Sequence, residues 1–211
     1  MTCVRRAVGA AFLTAVFALI QPPIGAQAQA ARAPTEKAPE VSATPAQAAP
    51  ANPADPFGEE VTLEEKTIIT MKGTATWETA FETLADAFKT IGGYLDKQKI
   101  QPSGKALVVY TQTDDTGFNY QVGIPVAEAP KPPPRGDLSV GKSPAGKLLK
   151  FVHRGSYDAM DTTYEAITNH LDEKRLETED MFIEEYVTDP VKTPQAKLIV
   201  NIYIPLKIQS P

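Results

Sequence analysis

The residues best placed to do chemistry lie in one short stretch, Phe182-Ile183-Glu184-Glu185-Tyr186. Read as a strand, it puts Phe182, Glu184 and Tyr186 on one face and Ile183, Glu185 and Val187 on the other. A carboxylate between two aromatic side chains has two readings. If its face is apolar, the buried acid either keeps its proton, with a raised pKa, or meets a cation. Tyr186, Phe182, Tyr203 and Tyr110 or Tyr120 would then supply ring faces that attract the cation. If its face is solvated, Glu184 and Glu185 are surface groups and the tyrosines simply pack, because ionised acids are rarely buried. Glu185 takes the role of Glu184 if the strand presents its other face. An acid of raised pKa also suits catalysis, which would make Glu184 the centre of a glutamate-dependent hydrolase.

Other chemistry finds little support. His153 and His170 have no acid near them at ligand spacing, so no metal site is expected. The one cysteine, Cys3, lies in the leader described below, which leaves no disulfide or thiolate for the rest of the chain. No nucleophile elbow, zinc-protease helix, phosphate loop or dinucleotide fingerprint occurs, and no cofactor is expected. The net charge of −5 argues against a nucleic-acid partner and favours cationic ones. Glu173, Lys174, Arg175, Glu177, Glu179 and Asp180 alternate in sign as a solvated helix end does.

The elements that must hold Glu184 form an internal repeat. Residues 66–126 read as an extended segment, a helix from Trp77 to Lys97, and two strands; residues 147–207 repeat the order, with a helix from Tyr157 to Lys174. Phe81, Leu84, Phe88, Ile91 and Leu95 form one apolar stripe, and Tyr157, Met160, Tyr164, Ile167 and Leu171 form another at the same spacings. Each pair is 76 residues apart, as are Tyr110 and Tyr186, while Ile124-Pro125-Val126 and Ile204-Pro205-Leu206 are 80 apart. The repeat partner of Glu184 is Val108, so the fold accepts a hydrophobe where the acid stands. Two such units side by side predict an α+β domain: an antiparallel sheet with two long helices on one face. The Pro-rich connector 127–146 reads as a crossing loop, because neither half is large enough to be comfortable alone.

The N-terminus reads as an address. Arg5 and Arg6 precede an apolar run, Ala7 to Ile20, that is too short to span a bilayer comfortably, and Ala-Gln-Ala sites follow at 26–30. Residues 1–30 are thus expected to be a Sec-type signal peptide, giving a periplasmic or secreted protein with no stable membrane insertion after cleavage. Residues 31–60 are rich in Ala and Pro, with Pro34, Pro39, Pro45, Pro50, Pro53 and Pro56, and read as a disordered linker. Residues 61–211 remain as the folded domain.

The second unit carries a family resemblance. Val152-His153-Arg154-Gly155-Ser156-Tyr157, then Glu184-Glu185-Tyr186-Val187-Thr188-Asp189-Pro190, then Asn201-Ile202-Tyr203-Ile204-Pro205-Leu206 resemble the GyrI-like small-molecule-binding domain. That domain also serves as the effector-binding module of some multidrug-responsive and AraC-type regulators. The resemblance implies a ligand cavity between sheet and helices, with a buried glutamate at Glu184 among aromatic residues and a ligand that is lipophilic and often cationic. It also implies a second possibility, since some relatives hydrolyse cyclopropane-bearing compounds. With no DNA-binding region before the domain, the regulatory role does not carry over. Three functions are expected in turn: an exported binding protein for an amphipathic small molecule, a hydrolase of strained electrophiles, and a structural or partner-binding envelope protein.

Overall fold

The computed structural model describes residues 55–207; the expected signal peptide and nearly all of the linker lie outside them. The chain forms β1 (Phe57–Leu63), β2 (Thr67–Thr76), a 3-10 turn (Trp77–Thr79), α1 (Ala80–Gln98), β3 (Leu107–Thr113) and β4 (Gly117–Pro125). After these come β5 (Leu138–Lys142), β6 (Gly146–Gly155), a second 3-10 turn (Tyr157–Ala159), α2 (Met160–Lys174), β7 (Phe182–Tyr186) and β8 (Leu198–Pro205). All strands join one antiparallel sheet in the order β1-β6-β8-β7-β3-β4-β2-β5. The α+β architecture with two long helices is the expected one.

Alternation along the strands sorts the core into two layers. Val108, Tyr110, Phe118, Val122, Phe151, Tyr186, Val200 and Ile202 pack with Leu84, Phe88 and Ile91 of α1 and Met160 and Ile167 of α2. The intervening residues, among them Leu107, Val109, Leu148, Ile183 and Tyr203, form a separate cluster on the other face.

Two strands were not legible. β1 begins at Phe57, inside the segment read as linker, and β5 lies in the connector read as a loop. Each is exchanged between the repeats: β1 precedes the first unit but pairs with β6 of the second, and β5 precedes the second but pairs with β2 of the first. Both are sheet edges, and Glu59, Glu60 and Lys142 are the kind of charge that discourages further pairing there. The β1 bulge lies at Gly58, whose φ of 76° favours glycine. A Cβ there would run into the His170 ring. The close approach sets Phe57 edge-on to both Phe151 (5.0 Å) and His170 (5.5 Å). Just upstream, Asp55 accepts two hydrogen bonds from Arg154 of β6.

The offset between repeats also needs correction. Ile68 and Leu148, which face Pro125 and Pro205, are 80 residues apart, as are the turns at Trp77 and Tyr157 and the helix starts at Ala80 and Met160. The helix ends are 76 apart: Lys99 (φ 58°) and Arg175 (φ 54°) are left-handed, and Ile100 and Leu176 donate to Leu95 and Leu171. α1 is therefore one turn longer, 19 residues against 15. A stripe spaced 3 and 4 matches itself when slid one turn, so the sequence concealed the change.

Candidate functional site

β3 and β7 meet in the middle of the sheet, where Val108 faces Glu184 directly. These are the equivalent positions of the two repeats, so the pseudo-twofold axis passes between them. Glu184 points toward the helices and is 1% exposed. Three hydroxyls solvate it. Tyr164 of α2 donates to Oε1 at 2.7 Å; Tyr110 and Tyr186 donate to Oε2 at 2.8 and 3.0 Å. Since the Tyr110 proton is committed to Glu184, Tyr157 donates to the Tyr110 oxygen, at 3.2 Å. The result is a relay from Tyr157 through Tyr110 to the acid.

Rings close the space around this cluster. Phe182 stacks on Tyr110 (4.3 Å between centroids, 15° between planes) and meets Tyr164 edge-on at 5.2 Å. Phe88 stands edge-on to Tyr186 at 5.3 Å. Phe81 of α1 and Tyr157 of the second 3-10 turn, both half-buried, meet at 5.4 Å.

Among the described residues no lysine or arginine forms an ion pair with Glu184. Burial raises its pKa, against the lowering effect of the hydrogen bonds from Tyr164, Tyr110 and Tyr186. The tyrosines respond in kind: burial first, then the Glu184 charge, raises Tyr110, Tyr157, Tyr164 and Tyr186 above the ordinary value. The site therefore offers one acid with three neutral donors and, among the described residues, no counter-charge.

The structure brings Phe182, Glu184, Tyr186 and Tyr110 together and separates the other two expected site residues from them. Tyr203 lies between Ile202 and Ile204, which face the helices, so it points to the opposite side of the sheet. There its hydroxyl and Asn201 donate to Glu185 at 3.0 and 2.9 Å. Tyr203 thus belongs with Glu185, not Glu184. Tyr120 is on the helix side, but its hydroxyl lies over Gly73, 2.5 Å from where a Cβ would stand, and it makes no hydrogen bond to Glu184. Tyr157 and Tyr164 are the site residues that sequence reasoning missed. Tyr164 sits on α2 and Tyr157 in the 3-10 turn before it; the sequence reads both as part of one apolar stripe, where a tyrosine reads as core, and only a hydroxyl in an otherwise aliphatic stripe marked them.

The histidines play structural parts. His153 is buried, and its Nε2–H donates to the Ser156 carbonyl at 3.0 Å while Nδ1 accepts from Thr163 at 2.8 Å. The carbonyl can only accept, which fixes the tautomer. Burial lowers the His153 pKa, favouring that neutral form. Among the described residues no three His, Cys, Asp or Glu side chains are grouped to hold a metal ion, and no helix is long and apolar enough to cross a membrane.

Comparison with known proteins bears on the fold and the family. No curated protein matches the sequence. Among solved structures, the EcmrR C-terminal domain is 13% identical, with a TM-score of 0.60 over 72% of this chain and 97% of that one. EcmrR in its complex with DNA is 14% identical, with a TM-score of 0.61 over 71% of this chain; the match spans 57% of that longer protein. A hydrolase from Listeria innocua is 11% identical, with a TM-score of 0.51 over 71% of this chain and 91% of that one. These likenesses are of fold. Residues 59–207 match the GyrI-like small molecule binding domain, and the chain belongs to that family.

Proposed function

We propose that this is an exported small-molecule-binding protein whose ligand carries a cationic or strongly hydrogen-bond-donating head to Glu184 and rests its apolar body on the surrounding rings. The observation that carries the reading is a buried carboxylate with three tyrosine donors and, among the described residues, no cation paired with it. A buried anion without a partner is unfavourable, and an incoming positive charge relieves it. Tyr110, Tyr164 and Phe182 offer the ring faces that suit an organic cation. Because Glu184 is 1% exposed, binding requires side chains to move. Tyr157 and Phe81, half-buried rings in contact with each other, are the proposed gate. Export rests on the leader, and sequencing the N-terminus of the mature protein tests it: a start near Ala31 supports export, and an intact Met1 refutes it.

The central test compares phenyltrimethylammonium with its uncharged isostere tert-butylbenzene, on wild type and on Glu184→Gln. The cation is expected to bind wild type and to lose about tenfold or more in affinity on Glu184→Gln, while the neutral compound is indifferent to the substitution. Equal loss for both compounds, or none for either, refutes a charge-recognising site.

The raised pKa of Glu184 beside hydroxyl groups favours one further reading, hydrolysis of a strained electrophile. The protonated carboxyl would deliver its proton to the ring carbon as the ring bond breaks. Water would add to the other carbon, and the water proton would return to the carboxylate. Ring-opened product from a cyclopropane-bearing ester, abolished by Glu184→Gln, would establish it; intact ester after prolonged incubation would dismiss it.

A further inference from the structure

The two repeats differ at one pair of positions in a way that leaves space. In the β3–β7 ladder Tyr110 faces Phe182, and the two rings stack. The pseudo-twofold axis carries this pair onto Tyr186 and Ala106, which meet through the Tyr186 N–H donating to the Ala106 carbonyl at 2.8 Å. One tyrosine therefore has a phenyl ring laid on it by its cross-strand partner; the other has a methyl group.

α1 sets Phe88 edge-on to Tyr186 at 5.3 Å but lays no ring flat on it. The helix passes the spot with Gly92 and Gly93, and a Cβ on either would meet nothing within 4 Å. Their α2 counterparts are Thr168 and Asn169. A groove of about 520 Å³ results, bounded by Phe88, Gly92, Gly93, Ala106, Tyr186 and the Val187–Lys192 loop. That volume falls in the range of small-ligand sites. Val187 and Val191 on the loop are exposed hydrophobic side chains. The charges on the rim nearly cancel: Lys89 pairs with Asp86 and Lys192 with Asp189, leaving one charge of each sign, Lys105 and Asp96.

We propose that this groove is a second small-molecule site, taking a flat, uncharged aromatic ring above Ala106 where the other repeat carries the ring of Phe182. The repeat itself specifies the occupant, since the equivalent space holds a phenyl group stacked on tyrosine. The site stands without the Glu184 reading, although the two adjoin: Tyr186 forms the groove floor and donates to Glu184 at 3.0 Å.

The test uses N-phenyl-1-naphthylamine, a neutral fluorescent aromatic probe, on the purified chain and three variants. Wild type and Glu184→Gln are expected to enhance its fluorescence alike. Ala106→Phe, which restores the ring present in the other repeat, is expected to weaken binding about tenfold or more. Gly92→Leu fills the groove from the helix side and is expected to do the same; it favours helix formation, so its effect does not reduce to misfolding. Unchanged binding in both groove variants overturns the proposal. So does loss in Glu184→Gln alone, which would place the probe in the tyrosine cluster. An absence of wild-type binding also overturns it, and self-association abolished by Ala106→Phe would then assign the groove to a second copy of the chain.

Discussion

At the scale of the residue, Glu184 makes stability depend on pH in an unusual direction. Its pKa is raised on folding, so the native state holds the proton more tightly than the unfolded chain does. The stabilisation is present below the ordinary carboxylate value of 4.5 and is lost as pH rises through the raised value. Wild type should therefore lose stability over that interval relative to Glu184→Gln, and denaturant midpoints measured across pH would show the two curves parting. Tyr164→Phe removes the donor to Oε1, raises the Glu184 pKa further and extends the interval upward. Above it the variant should be less stable by roughly 1.5–3 kcal/mol, the value of a hydrogen bond to a charged group. Cation binding has the opposite pH dependence, because it needs the carboxylate and weakens as pH falls. The acid and its two strand neighbours were legible because alternation fixes Phe182, Glu184 and Tyr186 on one face. The choice between Glu184 and Glu185 was not, since either face of a strand can be the buried one. Tyr203 was legible in principle: it sits between Ile202 and Ile204, and parity alone puts it on the face opposite theirs.

At the scale of the element, α1 and α2 show how a periodic pattern reveals one thing and conceals another. The apolar stripes identified both helices, yet they left the register of the repeat ambiguous by one helical turn. The left-handed caps at Lys99 and Arg175 resolve it, and neither is a glycine that sequence could have flagged. The edge strands β1 and β5 escaped notice for another reason. Their sequences, FGEEVTL and LSVGK, have little apolar alternation, because a strand at an edge is held by its neighbour's backbone more than by its own side chains. Gly92 and Gly93 weaken α1 without relieving any close contact. Gly92→Ala should accordingly stabilise the fold by about 0.5–1 kcal/mol, read as a higher unfolding midpoint, because the methyl group meets open space. On α2, Thr163→Val strands the His153 Nδ1 acceptor beneath the helix start. It should destabilise by about 1–3 kcal/mol in the same measurement.

At the scale of the whole molecule, exchange of β1 and β5 binds the halves together. A fragment of residues 55–126 lacks the partner of β1 and the covering of β2; one of residues 127–207 lacks the partner of β5 and the strand that brings Phe57 onto Phe151. Each alone should give the circular dichroism of an unfolded chain, and mixing the two should restore helix content; a half that folds alone would contradict this account. The junction of β3 with β7 carries a further consequence. An assembly of two identical chains shows the same side chain on both sides of its axis, so an acid at this spot would come as two facing carboxylates in one dry interior, which cannot both ionise. Joining two units in a single polypeptide lifts that constraint, because each copy can then be inherited and altered separately. Valine at 108 opposite glutamate at 184 is the outcome: a single carboxyl group at the centre of a pseudo-symmetric scaffold, which two identical copies could not present.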